Sequence, residues 1–244
     1  MKPFLLLATR AEDAAADEEY AAFLRFSGLA PSDLVRHRLE RDPLGRVDLD
    51  RWSGLILGGS PFTTSIPAEQ KSSAQIRSEA ELGLLLPEVL ERDFPFLGAC
   101  YGVGILGQHL QGVVDDTYPE PVGPTVVQLS DDGRRDPLLG ILPPSFEAFV
   151  GHKEAVTVLP EAAVRLAGSS ACPVQAFRVG ERVYATQFHP ELDVTGIQIR
   201  IDTYKHAGYF DPGTADDLKA AAAASDVVHP PRLVRRFVEL FATD

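Results

Sequence analysis

A cysteine lies between two glycines at the point where an apolar, strand-like run gives way to a helix-like one. Cys100 follows the run Phe96–Ala99, with Gly98 two positions before it and Gly102 two positions after it. A strand-to-helix turn is so sharp that the residue at its tip needs small neighbours. The turn also places the sulfur at the positive end of the next helix, where a thiolate is favoured over a thiol. The spacing therefore predicts that Cys100 is a nucleophile.

A cysteine nucleophile needs a base that takes up its proton and a group that orients that base. The segment at residues 186–191, TQFHPE, supplies both residue types. Pro190 restricts the residue before it to an extended conformation, in which residues two apart point the same way. His189 and Glu191 then share a face, so the carboxylate can hold the imidazole. By residue type, Cys100, His189 and Glu191 predict a catalytic triad.

The motifs GACYG around Cys100 and QFHPE around His189 resemble those of the class I (triad) glutamine amidotransferases, whose glutaminase domains release ammonia from glutamine. Two further segments fit the same family. GLILGGSP at residues 54–61 is similar to the family strand that ends in Gly-Gly-Pro. GHKEAVTVLP at residues 151–160 is similar to the family's H-G-D-x-V-x-x-L-P segment. All four segments occur in the family's order.

The resemblance implies a reaction through a thioester. Cys100 would attack the side-chain amide of glutamine, and backbone N–H groups of Gly59 and Tyr101 would form the oxyanion hole. His189, oriented by Glu191, would give a proton to the departing ammonia and then activate water.

The resemblance also implies where the α-amino and α-carboxyl groups of glutamine are held. In the family these places are the Gly-Gly-Pro turn, the H-G-D segment and the glutamine of C-x-G-x-Q. Here Gly104 replaces that glutamine, and an added lysine near a carboxylate-binding region either recognises an additional acid on the substrate or lies in solvent. The substrate-binding residues expected on this basis are Gly58, Gly104, Gln108, Gly151, His152 and Lys153.

Three functions remain open. The first is hydrolysis of glutamine with ammonia passed to an acceptor on a separate protein, because the roughly 50 residues after Glu191 are too few for a synthase domain. The second is hydrolysis of a γ-glutamyl peptide or conjugate with the same triad, which Gly104 favours. The third is a non-catalytic regulatory subunit, and the complete set of Cys100, His189 and Glu191 argues against it.

Composition excludes other classes of function. The net charge of −12 opposes nucleic-acid binding, and no apolar run approaches the ~18 residues that a membrane span needs. Two cysteines leave no disulfide framework, and the first residues do not have the length of a signal peptide. No cluster has metal-ligand spacing and no phosphate loop occurs. We therefore expect a cytoplasmic protein without a metal or cofactor.

The hydrophobic pattern predicts an α/β three-layer sandwich with helices on both faces of a flavodoxin-like, mostly parallel central sheet, as one domain over residues 1–244. Strands are expected at 4–8, 34–39, 52–57 and 94–99, and helices at 12–26, 68–91 (ended or kinked by Pro87) and 102–110. Short strands at 112–114, 125–129, 146–150, 155–159, 174–179 and 183–188 would form an antiparallel extension, with hairpins at Asp132-Gly133 and Gly180-Glu181. The last helices are expected at 195–205, 215–225 and 231–242.

Overall fold

The computed structural model describes all 244 residues and contains eleven strands and seven α-helices. The strands are β1 (Phe4–Ala8), β2 (Leu34–Arg38), β3 (Gly54–Leu57), β4 (Phe96–Ala99), β5 (Val113–Asp115), β6 (Glu120–Leu129), β7 (Ser145–His152), β8 (Ala155–Val158), β9 (Ala163–Gly168), β10 (Ala176–Val179) and β11 (Val183–Thr186). The helices are α1 (Asp13–Ser27), α2 (Ser73–Glu91), α3 (Tyr101–His109), α4 (Asp131–Arg135), α5 (Val194–Thr203), α6 (Ala215–Ala224) and α7 (Pro231–Phe241).

Nine of the strands form one sheet in the order β2-β1-β3-β4-β11-β10-β9-β6-β7, and β5 pairs with β8 separately. The first five strands of that order run parallel, and the pairings from β11 to β7 are antiparallel. This confirms the mostly parallel sheet with an antiparallel extension, although β5 and β8, which were expected in that extension, form a sheet of their own. No helix is long and apolar enough to cross a membrane.

The sheet is covered on both faces, and β1 shows why its sequence is apolar throughout. Phe4 and Leu6 point into one core with α1 and α7, where the rings of Phe4 and Phe237 lie 6.0 Å apart. Leu5 and Leu7 point into a second core with α2 and α3. Successive residues of a strand face opposite sides, so a strand between two helical layers needs a continuous apolar run.

Pro87 does not end the helix that contains it, and one predicted hairpin was wrong. Helix α2 continues through Pro87 to Glu91. An internal proline costs ~3 kcal/mol, but Leu86 and Val89 of the same turn are fully buried, and burial contributes ~1.5–3 kcal/mol per large aliphatic side chain. The expected hairpin at Asp132-Gly133 is instead the short helix α4, whose first turn is capped by the hydroxyl of Ser130. The strand β9 was not predicted.

The carboxyl ends of the central parallel strands meet at one edge of the sheet. In the register, Leu7 lies beside Leu57, and Ala99 lies beside Thr186. Residues that directly follow β1, β3, β4 and β11 are thereby collected in one place, as expected for the ligand-binding edge of such a sheet.

Candidate active site

Cys100 occupies the tip of the turn between β4 and α3. Its φ of 51° and ψ of −79° lie in a region that non-glycine residues rarely adopt. Its N–H donates to the carbonyl of Thr186 at 2.7 Å, and its own carbonyl accepts from Val103 at 3.0 Å. These bonds at both ends hold the strained residue, so the sulfur position is fixed by the sheet and the helix together.

His189 and Glu191 come from the segment that follows β11, the strand next to β4. Nδ1 of His189 lies 2.8 Å from Oε1 of Glu191, and the His189 N–H donates to the Phe149 carbonyl at 3.0 Å. With Nδ1 engaged by the carboxylate, Nε2 is the ring nitrogen left for another group. The two side chains therefore meet as their shared face predicts.

Cys100 and His189 line two adjoining cavities that share Ser60, Gly151 and Tyr209. No hydrogen bond joins the thiol to the imidazole. The Cys100 sulfur instead accepts a 3.8 Å contact from the side-chain amide of Gln187. The structure thus brings the Cys100 thiol and the His189 imidazole to two adjoining cavities.

Removal from water opposes charge on both groups. It raises the pKa of the Cys100 thiol to about 12 and lowers the pKa of His189 to about 4. This departs from the thiolate expected at a helix N-terminus, because removal from water outweighs the positive charges of Arg10 and Arg200 nearby. These directions favour proton transfer to His189 together with attack by the sulfur.

A buried ionic network stands behind His189, and sequence reasoning missed it. Oε1 of Glu19 accepts from Nε of Arg10 at 2.9 Å and from Nη2 of Arg200 at 3.3 Å. Arg200 also donates to Glu191 at 2.8 Å, and its Nη1 lies 3.0 Å from Nδ1 of His189. Burial opposes ionisation of Glu191, but the His189 and Arg200 contacts outweigh it and lower its pKa.

Removing the Arg200 charge should raise the pKa of His189. Burial is the main cause of the low value, and Glu191 opposes it, whereas Arg200 and Arg10 lower it further. A neighbouring charge commonly moves a pKa by ~1–3 units, so Arg200→Gln is expected to shift the His189 titration upward by about one unit or more. Ring NMR signals of His189 measured against pH report this directly.

The matched control is Arg25→Gln, because Arg25 is half exposed and pairs with Asp193 just before α5. We expect no shift of His189 in that variant, and a smaller shift in Arg200→Lys, which keeps the charge. An unchanged His189 pKa in folded Arg200→Gln would contradict the electrostatic role of Arg200.

The residues expected to form an oxyanion hole lie on either side of this site. Tyr101 is the first residue of α3, so its N–H belongs to the helix-initial groups that have no intrahelical acceptor. Gly59 follows β3, and a Cβ there would lie 2.5 Å from Cε1 of His189. Only glycine at this position lets the imidazole approach the backbone so closely.

Gly104 stands where the family pattern C-x-G-x-Q has glutamine, and other side chains fill the space beside it. A Cβ on Gly104 would lie 2.7 Å from the Thr64 hydroxyl and 2.8 Å from Oε1 of Glu154. Glu154 is fixed by the backbone N–H groups of Thr64 and Ser65, each at 2.7 Å. A long side chain at residue 104 has no space, because Glu154 and its loop occupy it.

Of the other residues expected to bind substrate, some line the Cys100 cavity and some do not. Gly151, His152 and Lys153 line the Cys100 cavity. Gln108 is exposed on α3 and lines neither of the two cavities. Gly58 packs against Glu19, whose Oε2 would lie 2.5 Å from a Cβ there.

His152 uses both ring nitrogens inside the protein. Nδ1 lies 2.9 Å from the Glu154 carbonyl and Nε2 lies 2.9 Å from Oε2 of Glu120. Glu120, His152 and Cys172 are all buried, and their potential metal-ligand atoms lie within 4.8 Å of one another. The three residues belong to β6, β7 and the segment after β9, so sequence spacing gave no sign of the group. The Cys172 thiol contacts the Val174 carbonyl at 3.5 Å, and we assign no metal here.

The segment that follows α5 covers part of both cavities. Tyr209 lines both cavities and its hydroxyl donates to the Pro61 carbonyl at 3.3 Å. Nζ of Lys153 lies 4.3 Å from the centre of the Tyr209 ring and donates to the Ala207 carbonyl at 3.4 Å. Lys153 thus holds this covering segment.

Comparison with known proteins gives a consistent result. The family model described as glutamine amidotransferase class-I matches residues 51–201. A glutamine-hydrolysing GMP synthase of Aeropyrum pernix is 32% identical over 151 residues, which cover 62% of this chain and 26% of that protein. One GMP synthase subunit of Methanobrevibacter smithii is 29% identical over 166 residues, which cover 68% of this chain and 76% of that protein. This chain thus spans about a quarter of the longer GMP synthase.

Solved structures share the whole fold. A glutamine amidotransferase of Thermotoga maritima aligns with a TM-score of 0.75 at 20% identity, over 99% of this chain and 98% of that one. Another, from Methylobacillus flagellatus, aligns with a TM-score of 0.73 at 18% identity, over 100% and 97% of the two chains. The family model covers more than half of the chain, including Cys100, His189 and Glu191. The chain belongs to the class I glutamine amidotransferase family.

Proposed function

We propose that this protein hydrolyses the side-chain amide of glutamine through a γ-glutamyl thioester on Cys100 and releases ammonia. One observation carries the proposal. The parallel pairing of β4 with β11 places Cys100, at the tip of a strained turn, beside the segment that bears the bonded pair of His189 and Glu191. A nucleophile, a base and an orienting carboxylate are the parts that such a reaction needs.

The proposed reaction gives each of these residues one role. The thiol gives its proton to Nε2 of His189 as sulfur attacks the amide carbon, and Glu191 stabilises the imidazolium that forms. Backbone N–H groups of Gly59 and Tyr101 stabilise the oxyanion. The imidazolium protonates the leaving nitrogen, and neutral His189 then activates water against the thioester.

We further propose that the ammonia passes to a separate synthase chain. The relative from Methanobrevibacter smithii is named as one subunit of a GMP synthase, which supports an acceptor on another chain. We also propose that residues 1–244 act as one domain. The packing of β1 against α7, from opposite ends of the chain, supports this.

A second candidate, hydrolysis of a γ-glutamyl peptide or conjugate by the same residues, has its own support. Thr64 and Glu154 fill the space beside Gly104, where the family pattern has a glutamine. A change in the groups that hold free glutamine favours a different γ-glutamyl compound.

Covalent labelling tests the chemistry that both candidates share. Treatment with 6-diazo-5-oxo-norleucine, which alkylates glutaminase cysteines, should add one adduct at Cys100, located by mass spectrometry of peptides. Cys172 is the internal control, because it is fully buried. An adduct at Cys172, or none at Cys100, would count against the proposal.

A further inference from the structure

One guanidinium nitrogen beside the active site has no partner within the protein. Arg10 is only 4% exposed, its Nε donates to Glu19 and its Nη1 donates to the Tyr204 hydroxyl, whereas Nη2 makes no hydrogen bond. A Cβ on Gly59 would lie 2.6 Å from this Nη2 and 2.5 Å from Cε1 of His189. Nη2 and the imidazole therefore approach the same side of Gly59, the side on which a Cβ would stand.

The cavity beside Nη2 has one charged wall and one apolar wall. Arg10 and Arg200 give the first its charge beside His189, and the second includes Val122, Leu192, Ile197 and Phe210. Because Arg10 lines the cavity, this free donor is open to a ligand there, and a carboxylate is the strongest partner of a guanidinium. The cavity thus suits an apolar group that carries a carboxylate at one end.

The position of this cavity relative to Cys100 decides which half of a substrate it receives. The sulfur lines a different cavity, with Gly104, Lys153 and Glu154. During amide cleavage the carbonyl carbon bonds to sulfur, and the nitrogen takes its proton from His189. Atoms attached to that nitrogen therefore extend into the cavity that His189 lines. In an α-amino acid the carboxylate is two bonds from the nitrogen, which suits an acceptor next to the imidazole.

We propose that Arg10 binds a carboxylate on the amine half of the substrate, so that the preferred substrates are γ-glutamyl derivatives of apolar α-amino acids. The inference rests on the proposed function of Cys100 and specifies its second candidate. Glutamine has no group on its amide nitrogen and leaves Nη2 without an acceptor.

The reaction needs only water as co-reactant. Sulfur bonds to the γ-carbonyl carbon, the C–N bond breaks, and the thiol proton reaches the leaving nitrogen by way of His189. Water then cleaves the thioester. The products are glutamate and the free amino acid, with Arg10 holding the carboxylate unchanged throughout.

Two other roles of Arg10 make different predictions. If Arg10 only supports Glu19, its replacement changes stability and not the choice of ligand. If Arg10 instead binds the α-carboxylate of the glutamyl half, its replacement weakens every γ-glutamyl ligand by the same factor.

Calorimetric measurement of ligand affinity for the Cys100→Ala variant distinguishes these roles, and it does not require turnover. The ligands are γ-glutamyl-leucine and γ-glutamyl-leucinamide, which differ only in the charge on the leucine half. We expect the acid to bind at least about tenfold more tightly, as for a charged hydrogen bond. Adding Arg10→Gln should abolish this preference, and adding Arg10→Lys should retain part of it.

Equal affinity for the two ligands when Arg10 is intact would overturn the proposal, as would failure of both to bind. So would a preference that survives Arg10→Gln in folded protein. Arg10→Gln removes a partner of Glu19. If that loss prevents the variant from folding, the comparison of the two ligands with Arg10 intact still tests the proposal. Absence of hydrolysis with intact Cys100 would count against the proposed function alone and leave this binding result unaffected.

Discussion

Cys100→Ala is expected to abolish hydrolysis of any γ-glutamyl substrate, with a loss of about 10⁴-fold or more. The reason is that the thioester has no other site at which to form. His189 and Glu191 form their pair without the sulfur, so the fold and the imidazole position are retained. Steady-state release of ammonia and glutamate measures the loss.

The matched control is Cys172→Ala, since Cys172 is the other cysteine of the chain and lies outside both cavities of the site. We expect this variant to keep its activity while losing some stability, because a fully buried side chain is shortened. Activity that persists in Cys100→Ala, or that disappears in folded Cys172→Ala, would refute the role given to Cys100.

Glu19→Gln should produce the largest loss of stability, about 3–5 kcal/mol in the free energy of unfolding. Glu19 is fully buried and its carboxylate accepts from the guanidinium groups of both Arg10 and Arg200. The glutamine amide has the same shape but no charge. Arg10 and Arg200 would then remain buried with Glu191 as the one carboxylate of the network. Since small domains have only ~5–15 kcal/mol in total, urea unfolding will show the change clearly.

Glu88→Gln is the comparison. Glu88 also accepts from an arginine, Arg92 at 3.0 Å, but this pair lies on the exposed surface of α2. Exposed pairs contribute at most ~1 kcal/mol. Similar losses in the two variants would show that burial of the Glu19 network has no energetic importance.

Much of the parallel half of the fold was predictable, because buried parallel strands are continuous apolar runs. The contact of His189 with Glu191 was predictable because both residues belong to one short motif along the chain. The antiparallel half was predicted less well. Strand β9 was missed. Gly133 was interpreted as a hairpin residue, but it lies in α4, where the absence of a side chain lets the helix pack closely against the Leu166 carbonyl.

The network behind His189 was missed because Arg200 lies 181 residues after Glu19 in the chain, and no motif links the two. A signal was nevertheless present in two helices. Arg200 follows Ile197 by three positions and precedes Ile201, so helical spacing puts it on the buried face of α5. Glu19 occupies the same kind of position in α1, between Ala15 and Phe23. A charged residue at an apolar position of a helix indicates a buried partner.

The adjacency of β4 and β11 has a consequence for biosynthesis. The two strands are neighbours in space but are separated by the whole antiparallel half of the chain, and such non-local pairings form late in folding. During synthesis on the ribosome, Cys100 is translated before His189. If His189 acts as the base that we propose, the thiol remains without it until β11 pairs with β4.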